Sequence, residues 1–167
     1  MKRKFTLWLL VVLLTITFTA CTNSNNSEGE DYSNASDMSS SEISDKLLEA
    51  IQQINEYDGM YIMKTEINSE NMEMYLGKNN LAIKDGYVVV PAMMSIAFQV
   101  AVVTVENKSD VDKIKKDIKN NADPARWIYV WVEKENVLVE SAGDKILLVM
   151  TNEVPQKIVD AFKDIVK

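Results

Sequence analysis

An apolar stretch near the middle of the chain places the strongest constraint on its fold. From Ser95 to Val105 the sequence is apolar apart from Gln99 and Thr104, and it is rich in β-branched residues. A segment of this composition, without any charge, is typical of a strand that is buried inside a sheet. The sequence therefore predicts a central strand at 95–105, with the other elements packed around it.

The spacing of apolar residues elsewhere predicts helices. Three longer ones are expected, at 41–55, at 110–121 and from Thr151 or Asn152 onward with Pro155 in the first turn. Ser41 or Ser44 is predicted to cap the first of these helices. A short helix near residue 70 is predicted to stop at Gly77, because glycine favours the left-handed conformation that ends many helices.

Shorter β-branched and aromatic runs predict further strands, with a turn at Asp85-Gly86 before the second of them. The predicted strands are 61–64, 87–90, 127–132, 136–140 and 145–150. This order of elements predicts an α+β fold in which helices pack on one face of a mostly antiparallel sheet. Residues 42–167 are expected to form this fold as a single small domain, since 126 residues suffice for one core.

The segment before the domain has the composition of a linker. Residues 22–41 are dominated by Ser, Asn and acidic side chains, and they include no basic residue. Such a segment offers too little apolar surface to offset the entropy of ordering. We therefore expect residues 21–41 to be a flexible tether, whose last 20 or so residues would span about 25 Å as a coil.

The chain begins with a basic and apolar leader that ends at its single cysteine. Lys2, Arg3 and Lys4 precede an uncharged run, and Thr19-Ala20-Cys21 follows it. This pattern resembles a bacterial lipoprotein signal peptide over residues 1–20, with lipid attached to Cys21. It predicts a protein anchored to the cell membrane and facing away from the cytoplasm. The alternatives are an N-terminal transmembrane anchor and free secretion, but Phe18 is too bulky for ordinary secretory cleavage.

Charge and composition restrict the possible functions. Removing residues 1–20 would leave 15 basic and 25 acidic residues, a net charge of −10, which argues against nucleic acid as a partner. The chain contains no His, so Ser-His-Asp and Cys-His catalysis are excluded. With one cysteine it forms no internal disulfide, and the domain must rely on core packing.

Several segments in the second half carry a family resemblance. They are the strand Ile96–Val105, the helix Ser109–Lys116, the motif Asp-Pro-x-x-Trp within Ala122–Ile128, the strand Gly143–Met150 and the helix end Ala161–Lys163. Residues 60–167 are similar in these features to domain-of-unknown-function family 4358, a group of uncharacterised lipoproteins from Firmicutes-type bacteria. The resemblance implies an α+β fold and a lipoprotein's location. It implies no catalytic residue, because the family has no assigned activity.

The most site-like cluster is Asp123-Pro124-Ala125-Arg126-Trp127, to which Trp131 adds a second indole. A carboxylate, a guanidinium and aromatic rings together suit a peptide or a glycan. In the alternative interpretation Asp123 caps a turn, Trp127 enters the core and Arg126 is solvated. A strand at 127–132 would place Trp127 and Trp131 on the same face, either as an exposed platform or as core.

Two other groups of side chains suggest alternative chemistry. Six methionines could form a soft Cu(I) site: Met60, Met63, Met72, Met74, Met93 and Met94. Five acids could supply a carboxylate pair for an envelope hydrolase: Glu133, Glu135, Glu140, Asp144 and Glu153. The leading hypothesis is a non-enzymatic module without a cofactor, which binds an envelope protein, peptide or glycan.

Overall fold

The computed structural model describes residues 37–167, so the predicted signal peptide, Cys21 and most of the predicted linker lie outside the described residues. The helices are α1 (Ser40–Gln52), α2 (Met72–Leu76), α3 (Val111–Asn121) and α4 (Pro155–Ile165). The strands are β1 (Ile62–Glu66), β2 (Ile83–Pro91), β3 (Phe98–Val105), β4 (Val137–Ala142) and β5 (Lys145–Thr151).

The five strands form one sheet in the order β1-β2-β3-β5-β4, and each neighbouring pair is antiparallel. The α+β class and the antiparallel sheet are therefore confirmed. Strand β3 occupies the centre, as its composition predicts, and all of its residues are buried. No helix within residues 37–167 is long and apolar enough to cross a membrane.

The helices cover both faces of the sheet, so the predicted placement on one face is wrong. Val100 and Val102 of β3 pack into one core with α1 and α4, whereas Ala101 and Val103 pack into a second core with α2 and α3. Strand β5 alternates in the same way between the two cores. Because both central strands are apolar on both faces, each face needs a cover of its own.

Helix α1 begins at Ser40, inside the segment that the sequence assigns to the linker. Its cap is Ser39 rather than Ser41 or Ser44. The Ser39 hydroxyl accepts from the amide of Glu42, and the Glu42 carboxylate accepts from the amide of Ser39 at 2.8 Å. This capping box is worth about 1 kcal/mol to a helix.

Three other predicted boundaries change. Asp85 and Gly86 lie within β2, where the pairing with β3 shifts its register, and do not form a turn before the strand. The last helix begins at Pro155, beyond Asn152, and residues 127–132 form no strand. The prediction that a short helix stops at Gly77 is confirmed, since Gly77 follows α2 with a φ of +78°.

Candidate binding cleft

Loops at one end of the sheet enclose an open cleft of about 720 Å³. Strand β3 starts at this end and β5 finishes there, because Phe98 pairs with Thr151 in the antiparallel register. Four segments therefore meet around the same space: 56–60, 95–98, 129–133 and 151–153. We refer to this space as the cleft.

Two buried aromatic rings lie at the base of the cleft. Tyr57 packs edge-on against Phe98, with ring centroids 5.0 Å apart and an interplanar angle of 68°. The Tyr57 hydroxyl also contacts the Thr151 hydroxyl at 3.2 Å and donates to the backbone carbonyl of Glu153. Burial raises the pKa of Tyr57, so its phenol stays neutral at physiological pH. These contacts hold the segment after α1 against the end of β5.

One wall of the cleft is an irregular loop over residues 122–133. Asp123 begins it with a turn in which its carboxylate accepts from the amide of Ala125 at 2.9 Å. The amide of Val132 then donates back to the carbonyl of Pro124 at 2.8 Å, which closes the loop on itself. These bonds explain why 127–132 is not a strand, since Val132 is satisfied within the loop rather than by a neighbouring strand.

Asn152 fixes this loop to the end of β5. Its side-chain oxygen accepts from the amide of Glu133 at 2.8 Å, and its side-chain nitrogen donates to the carbonyl of Trp131 at 2.9 Å. The sequence predicts that the last helix begins at this position or at Thr151. The structure instead uses both ends of the amide to hold the cleft wall in place.

Two aromatic side chains of the wall are exposed to solvent. Tyr129 is 96% exposed and Trp131 is 58% exposed. The Trp131 indole donates to the Glu133 carboxylate at 3.0 Å, which orients the ring. The amide of Ile128 donates to the carbonyl of Met94 at 3.1 Å, and the side chains of Ile128, Met93 and Met94 are all exposed. The cleft is thus bordered by an exposed apolar and aromatic surface.

Tyr129 also has an unusual backbone conformation, with a φ of +62°. A residue with a Cβ pays about 1–2 kcal/mol for the left-handed region. Such strain concentrates at functional sites, where the surrounding structure holds the backbone in place. The backbone conformation of Tyr129 is therefore unfavourable, and its side chain, which points into solvent, makes no buried contact that would offset the cost.

Arg126 lies beneath the loop rather than in solvent. Its guanidinium is 4.7 Å from the centroid of the Tyr75 ring and 5.5 Å from that of Trp127, and it donates to the side-chain oxygen of Gln99. Burial lowers the pKa of Arg126, although a guanidinium remains protonated at any physiological pH. Gln99, one of two polar residues in the otherwise apolar β3, thus joins the strand to the loop.

The predicted site residues separate in the structure. Asp123 forms the turn and Trp127 is a core residue with 7% exposure, as the alternative interpretation predicts. That interpretation is wrong in placing Arg126 in solvent. The prediction that Trp127 and Trp131 share one face of a strand is also wrong. Of the four residues only Trp131 lines the cleft. Sequence reasoning missed Tyr57, Phe98, Tyr129 and Asn152. Tyr57, Phe98 and Asn152 make contacts between distant segments, whereas Tyr129 is exposed.

The acidic residues of the hydrolase hypothesis are also dispersed. Only Glu133 and Glu153 line the cleft, where Glu56 and Asp58 join them. Glu140 pairs with Lys115 on α3, and Asp144 pairs with Lys145 in the turn before β5. A hydrogen bond from Lys157 lowers the pKa of Glu56, which is the opposite of what a general acid needs.

The methionines of the copper hypothesis do not share one surface. Met72 belongs to the core under α2 and α3, whereas Met60 packs against the core on the opposite face of the sheet. Met93 and Met94 are exposed beside the cleft. Within residues 37–167, no group of three or more His, Cys, Asp or Glu side chains is positioned to hold a metal ion.

Comparisons of the chain with family models, with curated proteins and with solved structures found no match. The resemblance to domain-of-unknown-function family 4358 therefore stays a prediction from the sequence motifs.

Proposed function

We propose that this protein is a lipid-anchored, non-enzymatic binding module of the cell envelope, and that its cleft holds a peptide segment of a protein partner. The exposed surface around the cleft supports this proposal. Tyr, Trp and Met are enriched in the buried centres of protein interfaces. Tyr129 and Trp131 line the cleft as exposed side chains, and the exposed Met93 and Met94 directly precede its lining segment 95–98. A volume of about 720 Å³ is within the range of clefts that enclose a ligand of a few side chains.

Tyr129 is the observation that carries the proposal. It is almost fully exposed, and its backbone adopts a conformation that costs free energy in the unbound protein. A bound partner would bury the ring and recover apolar contact area, at about 25 cal/mol per Å². Trp131 would contribute in the same way, and its indole is already oriented by Glu133.

A carboxylate-dependent hydrolase is the competing function. It would need one carboxyl that stays protonated and a second one at a fixed separation. In the cleft the pKa of Glu56 is lowered, and the carboxylate of Glu133 already accepts from the Trp131 indole. Both observations favour binding over acid catalysis.

The anchor has its own test, because Cys21 lies outside the described residues. We expect a Cys21→Ala substitution to release the protein from the membrane fraction or to stall removal of the leader, since the thiol would carry the lipid. Fractionation of cells followed by immunoblotting measures both outcomes. Full membrane retention of a processed Cys21→Ala chain would show that lipid on Cys21 is not the anchor.

Photo-crosslinking tests whether the cleft is occupied in cells. With p-benzoylphenylalanine in place of Tyr129, we expect a discrete adduct with one partner. Tyr61 provides a matched control position, because it is also exposed, at 74%, but does not line the cleft. The same adduct at the same yield from both positions would show that the partner, if any, does not dock at the cleft.

A further inference from the structure

We infer that the segment held in the cleft is positively charged, with lysine or arginine side chains placed between the exposed aromatic rings and the carboxylates of the rim. This inference rests on the proposed function and names the chemistry of the partner. It is carried by the charges around the cleft and by the aromatic surfaces beside them.

All ionised side chains that line the cleft are acidic. They are Glu56, Asp58, Glu133 and Glu153, and no Lys or Arg is among the lining residues in the described part of the chain. One of them, Glu56, is partly neutralised by Lys157 at 3.0 Å. These carboxylates carry like charges around one cleft, and a cationic ligand would complement them.

Two of these carboxylates are available to a ligand. Within residues 37–167 the side chains of Asp58 and Glu153 form no hydrogen bond or ion pair, and both residues are exposed. Exposed acids are common on any surface and would carry no inference alone. Here they border a cleft that aromatic and aliphatic side chains also line, so a ligand would bring its charge close to them while it buries apolar surface.

The aromatic rings favour the same ligand. Lysine and arginine combine an apolar stem with a charged head, so the stem can lie on a ring while the head reaches a carboxylate. A cation over Trp or Tyr gains about 0.5–1 kcal/mol at an exposed site and about 2 kcal/mol when it is desolvated. Trp131 and Glu133 are already hydrogen-bonded to each other, which places a ring and a carboxylate side by side.

Matched peptides test the charge of the occupant. We propose to titrate the full-length protein, in a nonionic detergent, with fluorescently labelled Ala-Lys-Ala-Lys-Ala-Lys-Ala and with the same peptide carrying Gln or Glu in place of Lys. Fluorescence anisotropy should show that the Lys peptide binds at least about ten-fold more tightly than the Gln peptide. The Glu peptide should bind most weakly, and added salt should reduce the preference for Lys.

Variants without the cleft carboxylates test whether these side chains cause the preference for the Lys peptide. The double variant Asp58→Asn/Glu153→Gln should bind the Lys peptide no more tightly than the Gln peptide. Glu49→Gln/Glu70→Gln removes two exposed acids outside the cleft lining and should leave the preference intact. A preference that survives in the cleft variant would overturn the inference, and thermal unfolding of each variant would confirm that the fold is retained.

The outcomes separate this inference from the proposed function. Equal binding of the Lys and Gln peptides, lost with Trp131→Ala, would overturn the cationic occupant but leave the cleft as a peptide site. Absence of binding by the Lys peptide would also overturn the inference, and the Tyr129 crosslink would then decide the proposed function separately. Trp131-dependent binding of chitotetraose in place of any peptide would overturn both.

Discussion

Replacing Gly77 with alanine is expected to destabilise the fold by about 3 kcal/mol. Gly77 ends α2 with a φ of +78°, a conformation that an alanine adopts at a cost of about 1–2 kcal/mol. A Cβ at this position would also overlap the backbone carbonyl of Asn121 and the backbone nitrogen of Ala122. Those atoms end α3 and lead into the cleft wall, so the two helix ends would have to move apart.

Gly59 provides the matched control for this substitution. Its φ is +72°, nearly the same as that of Gly77, but a Cβ there would meet no heavy atom within 4 Å. Gly59→Ala should therefore show only the conformational cost, about 1 kcal/mol. Urea unfolding of both variants measures the difference. Equal losses of stability in the two variants would show that Gly77 does not lie against the backbone at the end of α3.

Replacing Gln99 with leucine is expected to cost about 2–3 kcal/mol. The Gln99 side chain is fully buried and donates to the backbone carbonyl of Tyr75 at 2.7 Å, while its oxygen accepts from the Arg126 guanidinium. Leucine would leave that carbonyl without its donor and the buried side of the guanidinium without its acceptor. The Nε atom of Arg126 already has no partner in the described part of the chain.

A double-mutant cycle with Arg126→Met separates the two losses. If the Arg126 contact accounts for part of the cost, Gln99→Leu/Arg126→Met should be more stable than the sum of the single changes predicts, by about 1 kcal/mol or more. Urea unfolding of the four proteins gives the coupling free energy. Additivity within about 0.5 kcal/mol would show that Gln99 and Arg126 act independently.

The composition of the central strands predicts much of the fold. The uncharged, apolar composition of the segment that becomes β3 does not suit a strand at the edge of a sheet. The predicted strand 145–150 matches β5 to within one residue. The sequence did not predict how many faces of the sheet the helices cover. An amphipathic helix shows which of its own sides is buried, but not which face of the sheet it covers, because that depends on how the chain crosses the sheet.

The candidate site was predicted only in part, because its contacts join distant segments. The aromatic and β-branched composition of 127–132 favours a strand locally, but the bonds from Val132 to Pro124 and from Asn152 to Trp131 hold it as a loop. Tyr57 contacts Thr151, which is 94 positions away in sequence. No local pattern in a single sequence encodes such pairings, whereas the turn at Asp123 is local and was recognised.

The central claim, that the cleft is a binding site, is tested most directly by removing Trp131 while the crosslinker occupies position 129. Trp131→Ala should reduce the yield of the Tyr129-position adduct about ten-fold or more, as expected for an aromatic residue central to an interface. Tyr61→Ala should leave the yield unchanged. An unchanged adduct from a Trp131→Ala protein that unfolds at the same urea concentration as its parent would contradict the claim.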